Sequence, residues 1–368
     1  MHIPFCKQAC TYCNFHFTTS YLYKDELLKA LAKEIRIEKD YLEGETVNTI
    51  YFGGGTPSLL QTVECKLLLE EIRKNFKIDH GAEITLEANP DDLTKEKLKE
   101  WKDLGINRLS IGIQSFFEEE LIWMNRAHNA KQAIDSLHLA MKEFDNITID
   151  LIYGSPLLTD EMWQQNLDKA VNFGIPHLSC YALTVEERTP LFKLIKTKQI
   201  LDIDQDKQAR QFLLLMDWLR EKGYEHYEVS NFAKPGFRSR HNSSYWKGEK
   251  YLGIGPSAHS YNGYERSWNI ANNNLYVKSI HEDLSKKETE ELSTIQRFNE
   301  YIMISLRTIE GIDLKRVEKE WGTLIRERTE EQLEVFENNG LVIKTHSLAQ
   351  LTDEGMLRAD GIASQLFQ

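Results

Sequence analysis

Cys6, Cys10 and Cys13 fall within one short segment, Cys6-Lys7-Gln8-Ala9-Cys10-Thr11-Tyr12-Cys13, and Phe15 stands where a further thiol would extend the run. Three thiolates from a single loop are one short of the four protein ligands that a closed zinc site or an ordinary cubane takes. On a four-iron cluster, three thiolates leave one iron open to a small molecule. Two other readings use the same residues. His2 or His16 would complete a zinc site, since imidazole is a good zinc ligand. Disulfides would need oxidising surroundings, whereas the chain shows no basic-then-apolar leader and its five cysteines are an odd number. Cys65 and Cys180 lie far from the triplet, in helix-like and strand-like surroundings. Unpaired thiols without a leader predict a reducing, cytoplasmic setting.

The elements that must position this loop follow from hydrophobic periodicity. Apolar runs of strand length at 47–52, 83–88, 108–113, 148–152 and 177–182 alternate with amphipathic stretches at 24–41, 63–76, 94–104, 130–144 and 160–173. With residues 2–5 as a first strand there are six βα units. Strict β-then-α alternation implies parallel strands with right-handed crossovers, an α/β fold in the form of a partial (β/α)6 TIM-like barrel. In such barrels chemistry sits at the C-terminal strand ends. The unusual residues do follow strands: the cysteine loop the first, Gly53-Gly54-Gly55-Thr56-Pro57-Ser58 the second and Glu87-Ala88-Asn89-Pro90 the third. Gln114 and Ser115 close the fourth, Asp150 and Gly154-Ser155-Pro156 mark the fifth, and Tyr181-Ala182 the sixth.

Each of these has a structural reading beside the functional one. The glycine run is either a flexible turn or a place where a ligand approaches the backbone closely; it lacks the spacing of a dinucleotide site. Glu87, Gln114 and Asp150 are equally at home as caps or strand-end polar groups, and Arg126 as a surface arginine. Gathered at one mouth they offer a guanidinium fork for a carboxylate and acceptors for an ammonium and ribose hydroxyls. S-adenosylmethionine, an amino acid joined to a nucleoside, fits that inventory, and its amino and carboxylate groups would chelate the open iron.

The C-x3-C-x2-C loop after a first barrel strand, with Tyr12 before the third cysteine and a glycine-rich second loop, resembles the radical S-adenosylmethionine superfamily. His2-Ile3-Pro4-Phe5-Cys6, Gly53-Gly54-Gly55-Thr56-Pro57-Ser58 and Asp150-Leu151-Ile152-Tyr153-Gly154 resemble its oxygen-independent coproporphyrinogen oxidase family, over essentially the whole chain. The resemblance implies a [4Fe–4S] cluster on Cys6, Cys10 and Cys13, served by an electron donor. It places Tyr12, Gly54, Gly55, Thr56, Glu87, Gln114, Arg126 and Asp150 around S-adenosylmethionine, with Ile152 and Ala182 as packing contacts. The cofactor would carry the difficult chemistry, reductive cleavage of the sulfonium.

Two branches of that family differ where this chain is informative. The decarboxylating oxidase, which converts coproporphyrinogen III to protoporphyrinogen IX, has a cysteine where Phe15 stands and a long segment before the cluster. Here five residues precede Cys6. Both departures resemble the heme-chaperone branch, which delivers heme to an acceptor such as a cytochrome or respiratory enzyme. His241-Asn242-Ser243-Ser244-Tyr245-Trp246 resembles the H-N-x-x-Y-W motif associated with heme in that branch. Histidine is a common axial iron ligand, and Tyr245 and Trp246 offer faces to a flat macrocycle; the structural reading is a packed turn with His241 as a cap. His259 is a weaker candidate. A zinc- or cluster-stabilised barrel with only a binding role stands outside the family.

The net charge of −12 argues against a partner such as nucleic acid that needs a basic surface, and no apolar run is long enough for a transmembrane helix. Beyond the barrel a helix is expected at 205–222, a strand at 224–229, a loop over the barrel mouth at 232–255 and a charged linker at 283–291. Helices at 293–309, 314–321 and 325–339, a hairpin at 341–344 and 348–351, and a helix from 352 to 366 predict a smaller α-rich, winged-helix-like C-terminal domain. The expected organisation is a radical S-adenosylmethionine barrel at 1–230, a connecting region with the HNxxYW motif at 231–290 and the C-terminal domain at 291–368. The short first strand suggests an apolar strand extension upstream of Met1.

Overall fold

The computed structural model describes residues 1–283 and 287–368. Strands β1 (His2–Ile3), β2 (Val47–Gly54), β3 (Ile78–Ala88), β4 (Arg108–Gln114), β5 (Ile147–Tyr153) and β6 (His177–Ala182) lie side by side in that order, each neighbouring pair parallel. Between them run α1 (Lys24–Ile37), α2 (Thr62–Asn75), α3 (Lys95–Asp103), α4 (Glu118–Trp123), α5 (Ala130–Ala140) and α6 (Asp160–Asn172). Thr94, Asn129 and Thr159 start three of these helices by accepting the Lys97, Gln132 and Met162 amides. The helices bury Leu31, Ile35, Leu68, Trp101, Leu137 and Trp163 in one core with Phe52, Leu86, Ile111 and Leu151. Each such burial contributes about 1.5–3 kcal/mol.

The parallel order is the expected one, with local differences: β3 begins at Ile78 rather than 83, and α4 is an additional helix. The first strand is only two residues long, because Pro4 has no N–H for the ladder and Phe5 instead bridges Thr18. The first helix ends at Ile37 rather than near Tyr41, ahead of a turn with positive φ at Glu43 and Gly44. The fifth ends at Ala140, and residues 141–143 turn away.

Helices α7 (Pro190–Lys196) and α8 (Gln205–Glu221) lead to β7 (Glu225–Glu228) and β8 (Asn231–Ala233), a hairpin whose second strand pairs antiparallel with β6. The loop expected at 232–255 is therefore corrected. It begins inside β8 and contains helix α9 (Arg240–Trp246), which Ser239 caps through the Asn242 amide. Strands β9 (His259–Tyr261), β10 (Glu265–Asn269) and β11 (Lys287–Glu291) form an antiparallel sheet, and α10 (Asn273–His281) packs on α1 through the core residues Tyr276 and Ile280. Of the linker expected at 283–291, residues 284–286 lie outside the described residues and 287–291 are strand.

The C-terminal unit runs α11 (Thr294–Leu306), β12 (Ile312–Asp313), α12 (Leu314–Trp321), α13 (Thr323–Asn338), β13 (Val342–Thr345) and β14 (Leu348–Leu351). That helix–strand–helix–helix–hairpin order, closed as a sheet β12-β14-β13, is winged-helix-like. The single helix expected from 352 is two, α14 (Asp353–Met356) and α15 (Ala359–Leu366), because Arg358 leaves helical ψ between them. The unit has its own core of Phe298, Ile302, Val317, Leu333 and Ile362. It is tied to the hairpin by the Val229 amide on Arg307 O at 2.8 Å and the Ile309 amide on Tyr227 O at 3.1 Å.

Candidate functional site

All five cysteines are free thiols. The loop carrying Cys6, Cys10 and Cys13 is fixed from the α4 side: the Thr11 amide bonds Met124 O at 3.1 Å, and Asn125 Nδ2 bonds Ala9 O at 2.7 Å. Asn125 holds a positive φ of 56° to do so. The three thiols border a cavity of about 860 Å³ at the C-terminal strand ends. Every other residue expected there borders it too: Tyr12, Gly54, Gly55, Thr56, Glu87, Gln114, Arg126, Asp150, Ile152 and Ala182. His2 and His16 do not. The His2 Nε2 bonds His16 O at 2.8 Å and His16 Nε2 bonds Asn273 Oδ1 at 2.7 Å, so neither imidazole completes a zinc site with the thiols. Among the described residues no three His, Cys, Asp or Glu side chains converge as one ion requires; a four-iron cluster instead spreads its thiolates over separate irons.

Burial sets the electrostatics of the cavity. It pushes the Cys6 thiol up to about 11 and raises that of Cys13, so both thiols are neutral until a cation stabilises their anions. The cation already present is Arg126. Burial opposes its charge, but Tyr12 and Cys10 hold it on. Its Nη1 sits 3.3 Å from Cys10 Sγ, and Nη2 donates to Asn89 Oδ1 at 2.7 Å and Gly112 O at 2.8 Å. The guanidinium fork expected to meet a carboxylate is thus largely engaged by the protein, and only the buried Nε lacks a partner. Opposite it, burial raises Glu87 to about 7 and Asp150 to about 6. Glu87 accepts the Tyr51 hydroxyl at 2.7 Å, and Asp150 is bonded by Ser179 and Ser110. Gln114 reaches the cavity because β4 ends in an irregular register, where Gln114 itself has a φ of 66°.

Packing also requires two glycines of the run, both of which border the cavity. A Cβ on Gly54, whose φ is 107°, would meet the His2 ring at 2.8 Å, and one on Gly55 would meet Phe5 O at 2.7 Å. The first strand and the cysteine loop pass directly over these two residues. The Gly55 amide bonds Ile3 O at 2.9 Å and the Thr56 amide bonds Phe5 O at 2.7 Å, holding the loop at the mouth.

His241, Tyr245 and Trp246 border a second, larger cavity of about 1940 Å³ between α9, the β9–β10 sheet and the C-terminal unit; His259 borders it as well. The packed-turn reading of this motif holds in one respect, since it is helical. His241 does not cap the helix. Beside the Ser239 cap, Glu83, a buried carboxylate of β3, holds the first turn: it accepts the His241 amide at 3.0 Å, the Arg240 amide at 3.1 Å and the Ser239 hydroxyl at 3.4 Å. The His241 ring stacks on Tyr51 at 4.7 Å, its Nδ1 bonds Thr49 Oγ1 at 2.8 Å and its Nε2 meets the Tyr245 hydroxyl at 3.1 Å. Burial lowers it to about 3, so the imidazole is neutral, the form that ligates iron. Tyr51, Gly54 and Phe15 border both cavities, and Phe15 is 69% exposed.

Comparison with known proteins agrees with this geometry. Residues 1–170 match the model of the radical SAM superfamily and residues 292–358 that of the HemN C-terminal domain. A Bacillus subtilis protein named heme chaperone HemW is 33% identical over 97% of this chain and 95% of its own length. A Mycobacterium tuberculosis protein of the same name is 34% identical over 100% of this chain and 93% of its own. The chain belongs to the HemW family. Coproporphyrinogen III oxidase (HemN) from Escherichia coli, a radical SAM enzyme, superposes with a TM-score of 0.86 over 100% of this chain and 89% of its own at 24% identity, a likeness of fold. Radical SAM membership brings a [4Fe–4S] cluster and S-adenosylmethionine as cofactors. The cavity suits them: three thiols from one loop, a charged Arg126 beside Cys10 and an unpartnered Nε. No helix among the described residues is long and apolar enough to cross a membrane.

Several residues of the HemW-family site escaped the sequence reading. Asn89 orients Arg126, Tyr51 joins the two cavities, Ser110 and Ser179 hold Asp150, and Glu83 places α9. Asn89 was visible in the motif after the third strand. The others sit inside strands, where a lone polar residue carries no signal of what faces it.

Proposed function

We propose that this chain is a heme chaperone. Heme occupies the second cavity with His241 as iron ligand and Tyr245 and Trp246 against the macrocycle, and passes to an acceptor such as a cytochrome or respiratory enzyme in the cytoplasm. The observation that carries this reading is the HNxxYW helix itself. It presents a neutral imidazole to a cavity apart from the thiols, in a chain whose full-length relatives are named heme chaperones. The Nδ1–H tautomer, donating to Thr49 Oγ1, leaves Nε2 with the lone pair that ligates iron, and the Tyr245 hydroxyl is the group to be displaced.

In the first cavity we assign Cys6, Cys10 and Cys13 to the cluster. Glu87, Gln114, Arg126 and Asp150 take the polar groups of S-adenosylmethionine, with Tyr12, Gly54, Gly55, Thr56, Ile152 and Ala182 as wall. When bound, the cluster would supply the reducing electron for S-adenosylmethionine, with an electron-donor protein as its source. The chain's own residues bind, orient and exclude water: Arg126 offsets the thiolate charge, and Glu87 and Asp150 accept from ammonium and hydroxyl groups.

Anaerobically reconstituted protein, given heme and coproporphyrinogen III in parallel, tests the reading. Saturable heme binding at one per chain that His241→Ala weakens, without porphyrinogen turnover, is the expected result. Formation of protoporphyrinogen IX would overturn it in favour of the oxidase.

A further inference from the structure

His241, Tyr245 and Tyr251 line the second cavity as a run of rings leading away from the HNxxYW helix, and the run continues into Tyr261. His241 meets Tyr245 at 5.1 Å, Tyr245 meets Tyr251 at 4.7 Å and Tyr251 meets Tyr261 at 6.1 Å. At the far end stand Arg297 and Arg316 of the C-terminal unit, close enough for their charges to act on the Tyr261 phenol, and both border the cavity. Of the Lys and Arg side chains bordering the cavity, three pair with carboxylates and Arg240 donates to Gly81 O. Arg238 pairs with Glu225 and Glu310, Lys250 with Glu43 and Glu45, and Arg316 with Glu320. Glu300, the carboxylate that faces the same rings, is paired with Arg266 at 2.9 Å.

Lys247 and Arg297 remain, and of these two Arg297 carries the planar fork. Among the described residues it has no carboxylate partner. Its one side-chain hydrogen bond is a long 3.4 Å contact from Nη2 to Thr294 Oγ1. Its Nε is buried without an acceptor, and its guanidinium lies 5.4 Å from the Tyr264 ring, which holds it in place. A buried, unmet N–H is unfavourable, and an anion entering the cavity relieves it. A guanidinium fork favours a carboxylate, which it can take bidentately.

We propose that Arg297 is the carboxylate anchor of this cavity and takes a heme propionate. The inference rests on the reading that heme sits at His241. Heme is a flat apolar macrocycle with its two carboxylates on one edge. The Tyr245 and Tyr251 rings meet the plane, and Arg297, from the C-terminal unit, meets the edge. Heme thereby spans the barrel and the C-terminal unit.

Titration of the full-length, reconstituted chain with heme and with heme dimethyl ester, followed by Soret absorbance, tests this. The ester has the same iron and macrocycle but no carboxylates. Wild-type protein is expected to prefer heme by on the order of ten-fold, the value of one charge-assisted hydrogen bond. Arg297→Gln is expected to remove that preference by weakening heme binding while leaving ester affinity unchanged, which also reports that the variant is folded; Arg297→Lys should restore part of it. Equal wild-type affinity for heme and ester, with His241→Ala weakening both, would overturn the anchor and leave the heme site standing. A preference for heme that persists in Arg297→Gln would overturn it equally. Binding of neither porphyrin would remove the heme site and the anchor together.

Discussion

Glu83 is the residue through which the barrel sets the position of His241, and its removal gives a calculable effect. Its buried carboxylate accepts the Arg240 and His241 amides at 3.1 and 3.0 Å, the first-turn donors that no helical carbonyl can satisfy. Hydrogen bonds to a charged acceptor contribute about 1.5–3 kcal/mol each. The 3.4 Å contact from Ser239 adds little. Glu83→Ala should therefore cost about 3 kcal/mol, which at a urea slope near 3 kcal/mol/M lowers the midpoint by about 1 M. Glu83→Gln keeps an acceptor and should lose about half of that. Because the amides belong to the turn that bears His241, heme affinity should fall with stability, by on the order of ten-fold. In a His241→Ala background Glu83→Ala should change stability but no longer heme affinity. A Glu83→Ala chain with an unchanged urea midpoint and unchanged heme binding would refute the reasoning.

Three further outcomes follow from the same contacts. Gly54→Ala places a Cβ 2.8 Å from the His2 ring at a φ of 107°, so it should lower the melting temperature and the iron and sulfide retained after reconstitution, measured by chemical assay. Burial raises Glu87 to about 7 from an ordinary value of 4.5, so its folded form binds protons more readily than its unfolded form. Its contribution to stability is thus present at low pH and lost as pH climbs through about 7. In cofactor-free protein the stability of Glu87→Gln relative to wild type should accordingly grow between pH 5 and pH 7.5 in urea titrations, and a constant difference would contradict the assignment. Replacing Cys10 by Ala should abolish the visible absorption of the reconstituted cluster while leaving heme titration intact, since the thiols and His241 border different cavities.

What could be read from the sequence divides along physical lines. The parallel strand order was legible because buried strands such as 108–113 and 147–152 are short runs rich in Ile and Leu, separated by helical periods. The cysteine loop and the polar strand ends were legible because chemistry in this architecture follows strands. The winged C-terminal order was legible from its capped helices and hairpin turn. The short strands β8 and β9 were not, since three residues of strand, rich in no β-branched type, leave no alternation to detect. Helix α9 was hidden in a polar stretch because two of its first-turn amides are met by Glu83, 156 positions away from Ser239 in the chain. Gly54 and Gly55 also have His2, Ile3 and Phe5 as near neighbours, a crossing that only the assembled sheet creates. Likewise Tyr51 reads as one more strand aromatic until its hydroxyl is found on Glu87 and its face on His241.

The central claim is that His241 ligates heme iron in the second cavity. Resonance Raman spectroscopy of the ferrous, heme-loaded chain tests it most directly, because an iron–histidine stretching band identifies the axial ligand. The account predicts that band in wild-type protein and its loss in His241→Ala. A wild-type spectrum without the band, or one that His241→Ala leaves unchanged, would contradict it.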